Sequence, residues 1–560
     1  MSPTRAARQP SAAPTLRPYQ EEAIRAVIEA RKSGIRRLLV CLPTGAGKTV
    51  IFSSLARRAK RPVLVLAHRE ELLHQARDKL GRAIGDPDVV TLERGTARAR
   101  SDARVVVASI RSLHEKRLHR LVRDYDFGLV IYDECHHAAA EANKAVLKGL
   151  GAFDRSWTGT LLGVTATTQR GDGKGLDTVF EEIVYSRGIG DLIRDGYLSP
   201  LRGVRIATEA DLQELRPGTG EDFVVEELAE AIDIESRNAL VARSIQELAR
   251  DRRTIAFCVT VRHAENLARA LRVVGVPAGI VHGTMPREER KAVLAAFREG
   301  KLQALSNVGV LTEGFDDPGV SCIAMARPTR SEGLYAQCVG RGTRLHPGKR
   351  DCLVLDFADV SDLSLASLPS LFGMPRRIDL QGEDAAEAAE NCQAWLDNAP
   401  GFEVPPETIT LAEIKRRAEG FDPLQLDLND ELLAMSGNGW WSLGRKGLVL
   451  EFQQGKGRFR EYAILKTPQT GRKRWVVRLD DRDKAHFSRL EDAVEAVDYE
   501  VEQLGRRATE TASEWAEWRQ EPAPEALAAR LARRGITQGE ARRLLAFEKH
   551  VGRGPGRRAR

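Results

Sequence analysis

An α/β architecture is what this sequence predicts: two tandem lobes, each built on a parallel sheet, followed by a small α+β module and C-terminal helices. Three observations carry that expectation. Between Leu38 and Asp356, short β-branched runs alternate with longer amphipathic segments. The runs are almost continuously apolar, as strands are when both faces of a parallel sheet are covered. They fall into two similar groups of five that meet near Gly196–Pro200, and the pattern changes beyond Asp359.

The first group is Leu38–Cys41, Val63–Ala67, Val105–Ser109, Leu129–Tyr132 and Leu162–Thr165. The second is Arg253–Val259, Gly279–Val281, Gln303–Asn307, Cys322–Met325 and Asp351–Asp356. Residues 361–420 are mixed and interrupted by Pro369, Pro375, Pro400, Pro405 and Pro406, as in a connector with helical pieces. Residues 438–505 then give short strands at Trp440–Leu443, Leu448–Gln453, Arg458–Lys466 and Arg474–Leu479, with an amphipathic helix at Leu490–Leu504. A final helical pair is expected at Ala526–Arg534 and Gln538–His550. The expected domains are a disordered leader at 1–14, a first lobe at 15–198 and a second at 199–360. A connector at 361–437, the small module at 438–510 and a helical basic tail at 511–560 complete the chain.

Composition narrows the class. A chain of 560 residues exceeds one ordinary core. The sequence is 42% hydrophobic and 29% charged, as in globular proteins, and no apolar run approaches the ~18 residues of a membrane span. The leader lacks the apolar core of a signal peptide, so a reducing cytoplasm is the expected compartment. Seven scattered cysteines (41, 135, 258, 322, 338, 352 and 392) form no Cys-x2-Cys pair, which argues against structural zinc and against a disulfide framework. The net charge of +7 is a tail property: from Arg530 onward ten Lys and Arg face only Glu540 and Glu548, so the rest of the chain sums to −1. Such a tail attracts polyanions or stays solvated.

Leu42–Thr49 reads LPTGAGKT, directly after an apolar run and before Val50–Leu55. A strand, a Gly-rich turn and a helix start gather backbone N–H groups around one anion. Thr44, Gly45, Ala46, Gly47, Lys48 and Thr49 are the candidate cradle. Lys48 would reach the β/γ-phosphates of ATP, and the Thr49 hydroxyl would ligate Mg²⁺. Leu42 stands where the generic pattern has glycine, so Gly45 and Gly47 must supply the backbone freedom. An ordinary Gly-rich loop is the plain alternative for this stretch alone. The partner expected of a nucleotide site is an acid just past a neighbouring buried strand, and Asp133-Glu134-Cys135-His136 follows Leu129–Tyr132. Asp133 would hold the metal through its water shell, and Glu134 would polarise the attacking water. Adjacent carboxylates there are costly without a cation or polar partner.

With these residues the chain resembles superfamily 2 helicases and translocases of the DEAD/DEAH-box group, its box reading DECH, over most of residues 15–360. The motifs stand in family order. The resemblance implies two RecA-like P-loop lobes and an adenine-reading element at Leu16–Gln20, with Arg17 and Gln20 contacting nucleotide. It implies strand-contacting motifs at Ala67-His68-Arg69 and Ala108-Ser109-Ile110. It implies coupling elements at Thr165-Ala166-Thr167 and at His136, with packing or capping as the lesser alternative for His136 and His137. In the second lobe, NVGVLTEGFDDPGV (Asn307–Val320) resembles the motif that touches nucleic acid and ribose, with Thr312, Gly314 and Asp316 in the matching places. Gln337–Arg344, QCVGRGTR, resembles the motif carrying the arginine finger. Arg341 and Arg344 are three apart, so both can face one γ-phosphate, and Gln337 joins this catalytic set.

Val354–Ala358, VLDFA, makes the chain most similar to RadD-type bacterial DNA-repair helicases. It lacks the cysteine-rich zinc segment of that group, since only Cys392 lies beyond Cys352. What the resemblance implies is an ATP- and Mg²⁺-dependent motor on nucleic acid, DNA before RNA, acting in repair or recombination. An RNA helicase and a nucleotide-gated DNA clamp without net unwinding are the alternatives; a restriction motor is weaker, because no nuclease constellation stands out. In the module, alternation puts Arg474, Val476 and Arg478 on one face and Trp475, Val477 and Leu479 on the other. A basic face that could lie on DNA is expected, with a plain small core as the alternative. Arg542 and Arg543 are candidate phosphate contacts, and the C-terminal region is also where protein partners are expected.

Overall fold

The computed structural model describes residues 15–67, 70–166, 176–213, 215–216, 218, 222–312, 315–360, 365–399, 404, 407–426, 435–455, 458–467 and 474–551. It divides into two compact units, residues 1–388 and 389–560. Among the described residues no helix is long and apolar enough to cross a membrane.

The first unit holds two parallel sheets. In the first lobe the strands are β1 (Arg37–Cys41), β2 (Val63–Ala67), β3 (Val90–Glu93), β4 (Val105–Ser109), β5 (Leu129–Asp133), β6 (Leu161–Thr165) and β7 (Glu182–Ser186). Their order is β3-β4-β2-β5-β6-β1-β7. In the second lobe β8 (Leu201–Asp211), β9 (Arg253–Phe257), β10 (Ala278–His282), β11 (Ala304–Val308), β12 (Val320–Met325) and β13 (Cys352–Val360) take the order β10-β11-β9-β12-β13-β8. All ten expected strands of the two lobes are present. Leu39, Leu64, Leu66, Val106, Val130 and Tyr132 are buried together in the first lobe, and Ala256, Leu267, Leu271, Ala324 and Leu355 in the second. Each fully buried leucine contributes about 2 kcal/mol, so these apolar runs hold the strand ends, and the loops leaving them, in place.

Three strands escape the apolar pattern for identifiable reasons. β3 ends in Glu93, whose fully buried carboxylate is held by Arg117 at 3.2 Å, by Arg120 at 2.6 Å and by the Ala99 N–H at 2.7 Å. β7 is an exposed edge strand against β1. β8 is the other sheet's edge, and its polar residues alternate outward.

The second unit carries a five-stranded antiparallel meander: Trp441–Ser442, Gly447–Gln454, Arg458–Lys466, Trp475–Leu479 and Arg482–Phe487. The last strand, absent from the sequence expectation, is polar and exposed; Asp480 and Asp481, at φ 46° and 69°, make the tight turn that folds it back. Leu490–Gln503 and Arg506–Ala512 cover one face through Val494, Val497 and Val501, which pack on Leu450, Phe452, Tyr462 and Ile464.

The opposite face, expected to be basic and DNA-facing, is covered over part of its area, while Arg474 stays exposed and Arg478 pairs with Asp483 at 2.6 Å. Val476 and Arg478 pair with Leu465 and Ala463, and that face packs Val449, Ala463 and Leu465 against Trp441, Trp518, Ala546 and Phe547 of the terminal segment. Arg519, buried, lies 5.0 Å over the Trp441 ring and 4.8 Å over Trp518. The candidate phosphate contacts are engaged internally as well: Arg542 stacks 3.5 Å over Phe459 and pairs with Glu451 at 3.0 Å, and Arg543 donates to the Leu426 carbonyl. Lys549 pairs with Glu461 and Asp481, both at 2.9 Å. The alternative of a small packed core accounts for these residues; the arginines of 553–560 lie outside the described residues.

Candidate functional site

The Gly-rich turn leaves β1 beside β6, the Leu42 N–H donating to the Thr165 carbonyl at 2.9 Å. Gly45 and Gly47 sit at φ +90° and +76°, conformations that a side chain would strain, and helix α2 (Lys48–Arg58) starts directly after Gly47. Crowding adds a second reason for these glycines. A Cβ on Gly47 would meet Gln20 Nε2 at 2.6 Å, and one on Gly45 would meet Thr343 Oγ1 at 2.8 Å.

Lys48 points inward, 9% exposed, with Nζ 3.3 Å from Glu134 Oε1. Glu134 follows β5 in a left-handed conformation, φ 51°, and its N–H donates to Asp133 Oδ1 at 3.1 Å. Its other oxygen lies 3.5 Å from His136 Nδ1, which is 3.4 Å from Thr165 Oγ1. Lys48, Glu134, His136 and Thr165 are thus brought together. Burial opposes ionisation of Glu134, but the Lys48 ammonium and His136 outweigh it and hold the carboxyl well below the usual glutamate range. Thr44 Oγ1 is buried without a hydrogen-bond partner, and Lys48 Nζ carries no hydrogen bond beyond its ion pair. Spare buried donors beside a helix N-terminus suit a phosphate chain. Thr49 and Asp133, both half-buried, are oxygen donors of the kind Mg²⁺ accepts.

Helix α1 (Pro18–Lys32) presents its first turn to this loop. Gln20 Nε2 and the Tyr19 hydroxyl both donate to the Ala46 carbonyl, at 3.2 and 2.6 Å, while Gln20 Oε1 accepts from the Arg17 N–H at 3.0 Å. Arg17 Nη1 donates to the Tyr197 carbonyl at 3.0 Å, in the segment that joins the lobes.

The second lobe brings its arginine segment to the same loop. Thr343 Oγ1 donates to the Thr44 carbonyl at 3.2 Å, and the Ser199 N–H of the joining segment donates to the Thr343 carbonyl at 2.7 Å. Gly340 is so close that a Cβ there would lie 2.4 Å from Thr44 Cβ. Arg341 Nη1 and Arg344 Nη1 converge on one acceptor, the Phe315 carbonyl, at 3.0 and 2.9 Å. Arg344 Nη1 is also 3.1 Å from Asp316 Oδ1, whose partner oxygen lies 3.6 Å from Lys79 Nζ of the first lobe. Gln337 is buried one turn before Arg341.

The candidate nucleic-acid contacts are more dispersed. Ser109 ends β4 in one lobe, and Thr312 follows β11 in the other, its hydroxyl donating to the Gly309 carbonyl at 3.0 Å. Arg69, Thr167 and Gly314 lie outside the described residues. Sequence reasoning passed over Tyr19, Thr343 and Lys79. The first two sit inside the quoted motifs, adjacent to the residues chosen, whereas Lys79 is one cation among many on its helix and gave no signal.

Residues 13–170 match the family described as type III restriction enzyme, res subunit, and residues 236–346 match the helicase conserved C-terminal domain. Over 448 residues the chain is 33% identical to irc3 of Schizosaccharomyces pombe, named as a mitochondrial ATP-dependent helicase, covering 78% of this chain and 72% of that one. It is 33% identical over 391 residues to IRC3 of Saccharomyces cerevisiae, named as an ATP-dependent helicase, covering 67% of this chain and 55% of that one. A Kineococcus radiotolerans protein named as DNA 3'-5' helicase XPB is 29% identical over 343 residues, 59% of this chain and 57% of its own. The chain therefore spans little more than half the length of the last two relatives.

Proposed function

Because this chain belongs to the superfamily 2 DEAD/DEAH-box-type helicases, ATP-dependent enzymes that act on nucleic acid, we propose that it is a Mg²⁺-dependent motor that steps along DNA. The observation that carries this reading is the approach of Thr343 and Gly340 to Thr44, which sets the arginine segment of one lobe against the phosphate loop of the other.

In this reading the Lys48 ammonium exchanges Glu134 for the β/γ-phosphates when ATP enters. That frees the Glu134 carboxylate, with His136 still beside it, to orient and polarise the attacking water. Arg341 and Arg344 leave the Phe315 carbonyl for the γ-phosphate, where planar guanidinium groups offset transition-state charge. The Thr49 hydroxyl and, through water, the Asp133 carboxylate would hold Mg²⁺, which would supply charge neutralisation at the phosphates. Gln20 and Tyr19 hold the loop's rear face through Ala46, with Gln20 itself held by the Arg17 N–H, so base occupancy and loop shape are linked. Hydrolysis removes the anion that holds the lobes together, and contacts at Ser109 and Thr312, one on each lobe, convert their separation into a step.

DNA is preferred over RNA because the similar bacterial relative is named for DNA and the motif set is most like RadD-type repair helicases. The likeness to RadD-type helicases favours a role in repair or recombination, and seven buried free thiols suit a reducing compartment such as the cytoplasm. The test is ATP turnover and strand displacement by the purified protein on matched tailed DNA and RNA duplexes. Stimulation and displacement with DNA support the reading; equal or greater activity with RNA overturns the substrate, and DNA-stimulated turnover without displacement or translocation favours a nucleotide-gated clamp.

A further inference from the structure

On the first lobe, a cavity of about 500 Å³ opens at the amino-terminal ends of β2, β5 and β6, between the last turns of α1 and α2. The phosphate loop and Asp133 follow the carboxyl ends of β1 and β5. A five-residue strand is about 16 Å long, so the cavity is separate from the nucleotide site.

Val27, Ile28, Leu55 and Leu129 give the cavity an aliphatic floor. Five cations ring it, from Arg31-Lys32 and from the run Arg57-Arg58-Ala59-Lys60-Arg61: Arg31, Lys32, Arg58, Lys60 and Arg61. Among its described lining residues there is neither a carboxylate nor an aromatic ring. Two of the cations have local work. Arg31 Nε donates to Thr160 Oγ1 at 2.7 Å, and Arg61 pairs with Asp126 beside the rim and donates to Thr158 Oγ1 at 2.9 Å. Lys32, Arg58 and Lys60 are exposed, and no acidic partner engages them among the described residues. Lys32 and Arg58 lie in last helical turns, where a cation also complements the helix dipole; that role extends neither to Lys60 nor to the aliphatic hollow they surround.

An occupant must therefore be anionic at its rim contacts and aliphatic at its centre. Nucleic acid offers the charge, but its bases find no ring to stack on, and the floor gives their polar edges no partner. We propose that this cavity docks an acidic peptide segment of a partner protein, one that inserts a leucine- or isoleucine-type side chain between carboxylates. A volume near 500 Å³ accommodates one or two such side chains, the size of an interface anchor site. The partner would be held on the lobe's far side, leaving the nucleotide cleft and the strand-contacting motifs open.

The test is fluorescence anisotropy of the full chain with a short labelled peptide of alternating Glu and Leu. Controls are a Glu/Gly peptide of equal charge, a Lys/Leu peptide, and competition by an oligothymidylate. The Lys32→Glu/Lys60→Glu variant changes two exposed rim residues, and its ATP turnover should match wild type. Saturable binding of the Glu/Leu peptide, weakened about tenfold or more by the double reversal and by removal of leucine, is the expected result. Equal binding of the Glu/Gly peptide, or full displacement by oligothymidylate, would make the surface a general polyanion patch and overturn the proposal. So would failure of the Glu/Leu peptide to bind, or its undiminished binding to the variant.

Discussion

Replacing Gly340 with alanine adds one methyl group where the two lobes meet. Gly340 lies at φ −60° and ψ −14°, ordinary helical space, so alanine meets no backbone strain there. The difficulty is room: the new Cβ would sit 2.4 Å from Thr44 Cβ, 3.0 Å from Thr44 Cγ2 and 2.9 Å from the Ala336 carbonyl oxygen. Overpacking of this kind costs about 1–3 kcal/mol, and if the arginine segment relieves it by backing away from the phosphate loop, the closed arrangement falls by roughly fivefold to 150-fold. Nucleic-acid-stimulated ATP turnover should drop by that factor while the melting temperature falls only slightly, because within the second lobe the methyl meets only the Ala336 carbonyl, which a shift of a few tenths of an ångström relieves, whereas both Thr44 contacts cross between the lobes. Gly437→Ala, where nothing lies within 4 Å, is the control and should leave turnover unchanged. Wild-type turnover by a folded Gly340→Ala protein would refute the claim that hydrolysis needs this close approach.

Lys48→Ala should abolish stimulated turnover and also destabilise the first lobe by about 3 kcal/mol in chemical denaturation, since it strands the Glu134 carboxylate in a buried site. The Glu134 carboxyl is depressed in the folded protein, so the ion pair's contribution is complete above the ordinary glutamate pKa and fades only as pH falls through the lower folded value. Denaturation of the nucleotide-free protein should therefore show no loss from Glu134 protonation between neutrality and the ordinary glutamate range. Thr343→Val should lower kcat severalfold with KM for ATP little changed, because the lost hydrogen bond fixes the neighbouring Arg344 rather than the nucleotide; Thr343→Ser should restore it, and equal kcat for all three proteins would count against that link. His263 is buried, and burial, reinforced by Arg237, lowers its pKa from 6.5 to about 4. Its neutral form's contribution, about 3 kcal/mol, is complete above pH 6.5 and is lost progressively as pH falls toward 4. Unfolding curves over that range should flatten in His263→Gln. Asp359 makes two hydrogen bonds with Arg237, at 2.7 and 2.9 Å, in a fully buried pair, so Asp359→Ala should cost about 3–5 kcal/mol of second-lobe stability by the same denaturation assay.

The two lobes were legible because a parallel sheet covered by helices demands unbroken apolar strands, and ten such runs stood out. What stayed hidden lay where that demand lapses: β7 and β8 are edges, and β3 buries a glutamate that two arginines neutralise. The phosphate loop, Asp133-Glu134 and the arginine segment were readable as motifs, since their chemistry needs fixed residue types at fixed spacing. Their mutual contacts were not, because Thr343 against Thr44 joins positions 299 residues apart and rests on packing that no local pattern encodes. The C-terminal sheet shows the opposite failure. Its alternation was read correctly along the strand Trp475–Leu479, yet a basic and aromatic composition says nothing about whether a later helix covers the basic face. Here Ala546 and Phe547 cover the part of it around Val449 and Ala463 and leave Arg474 exposed, and Arg542 pairs with Glu451 of the sheet.

The central claim is that ATP is hydrolysed between the lobes and that this moves the protein along DNA. Single-turnover strand displacement on a tailed DNA duplex, run with the wild-type, Lys48→Ala and Arg344→Ala proteins, tests it most directly. Displacement that requires ATP in the wild type and vanishes in both variants, each still folded and still binding DNA, is the predicted result. Displacement by Arg344→Ala at the wild-type rate would mean that Arg344 does not act on the nucleotide, and the account would fail.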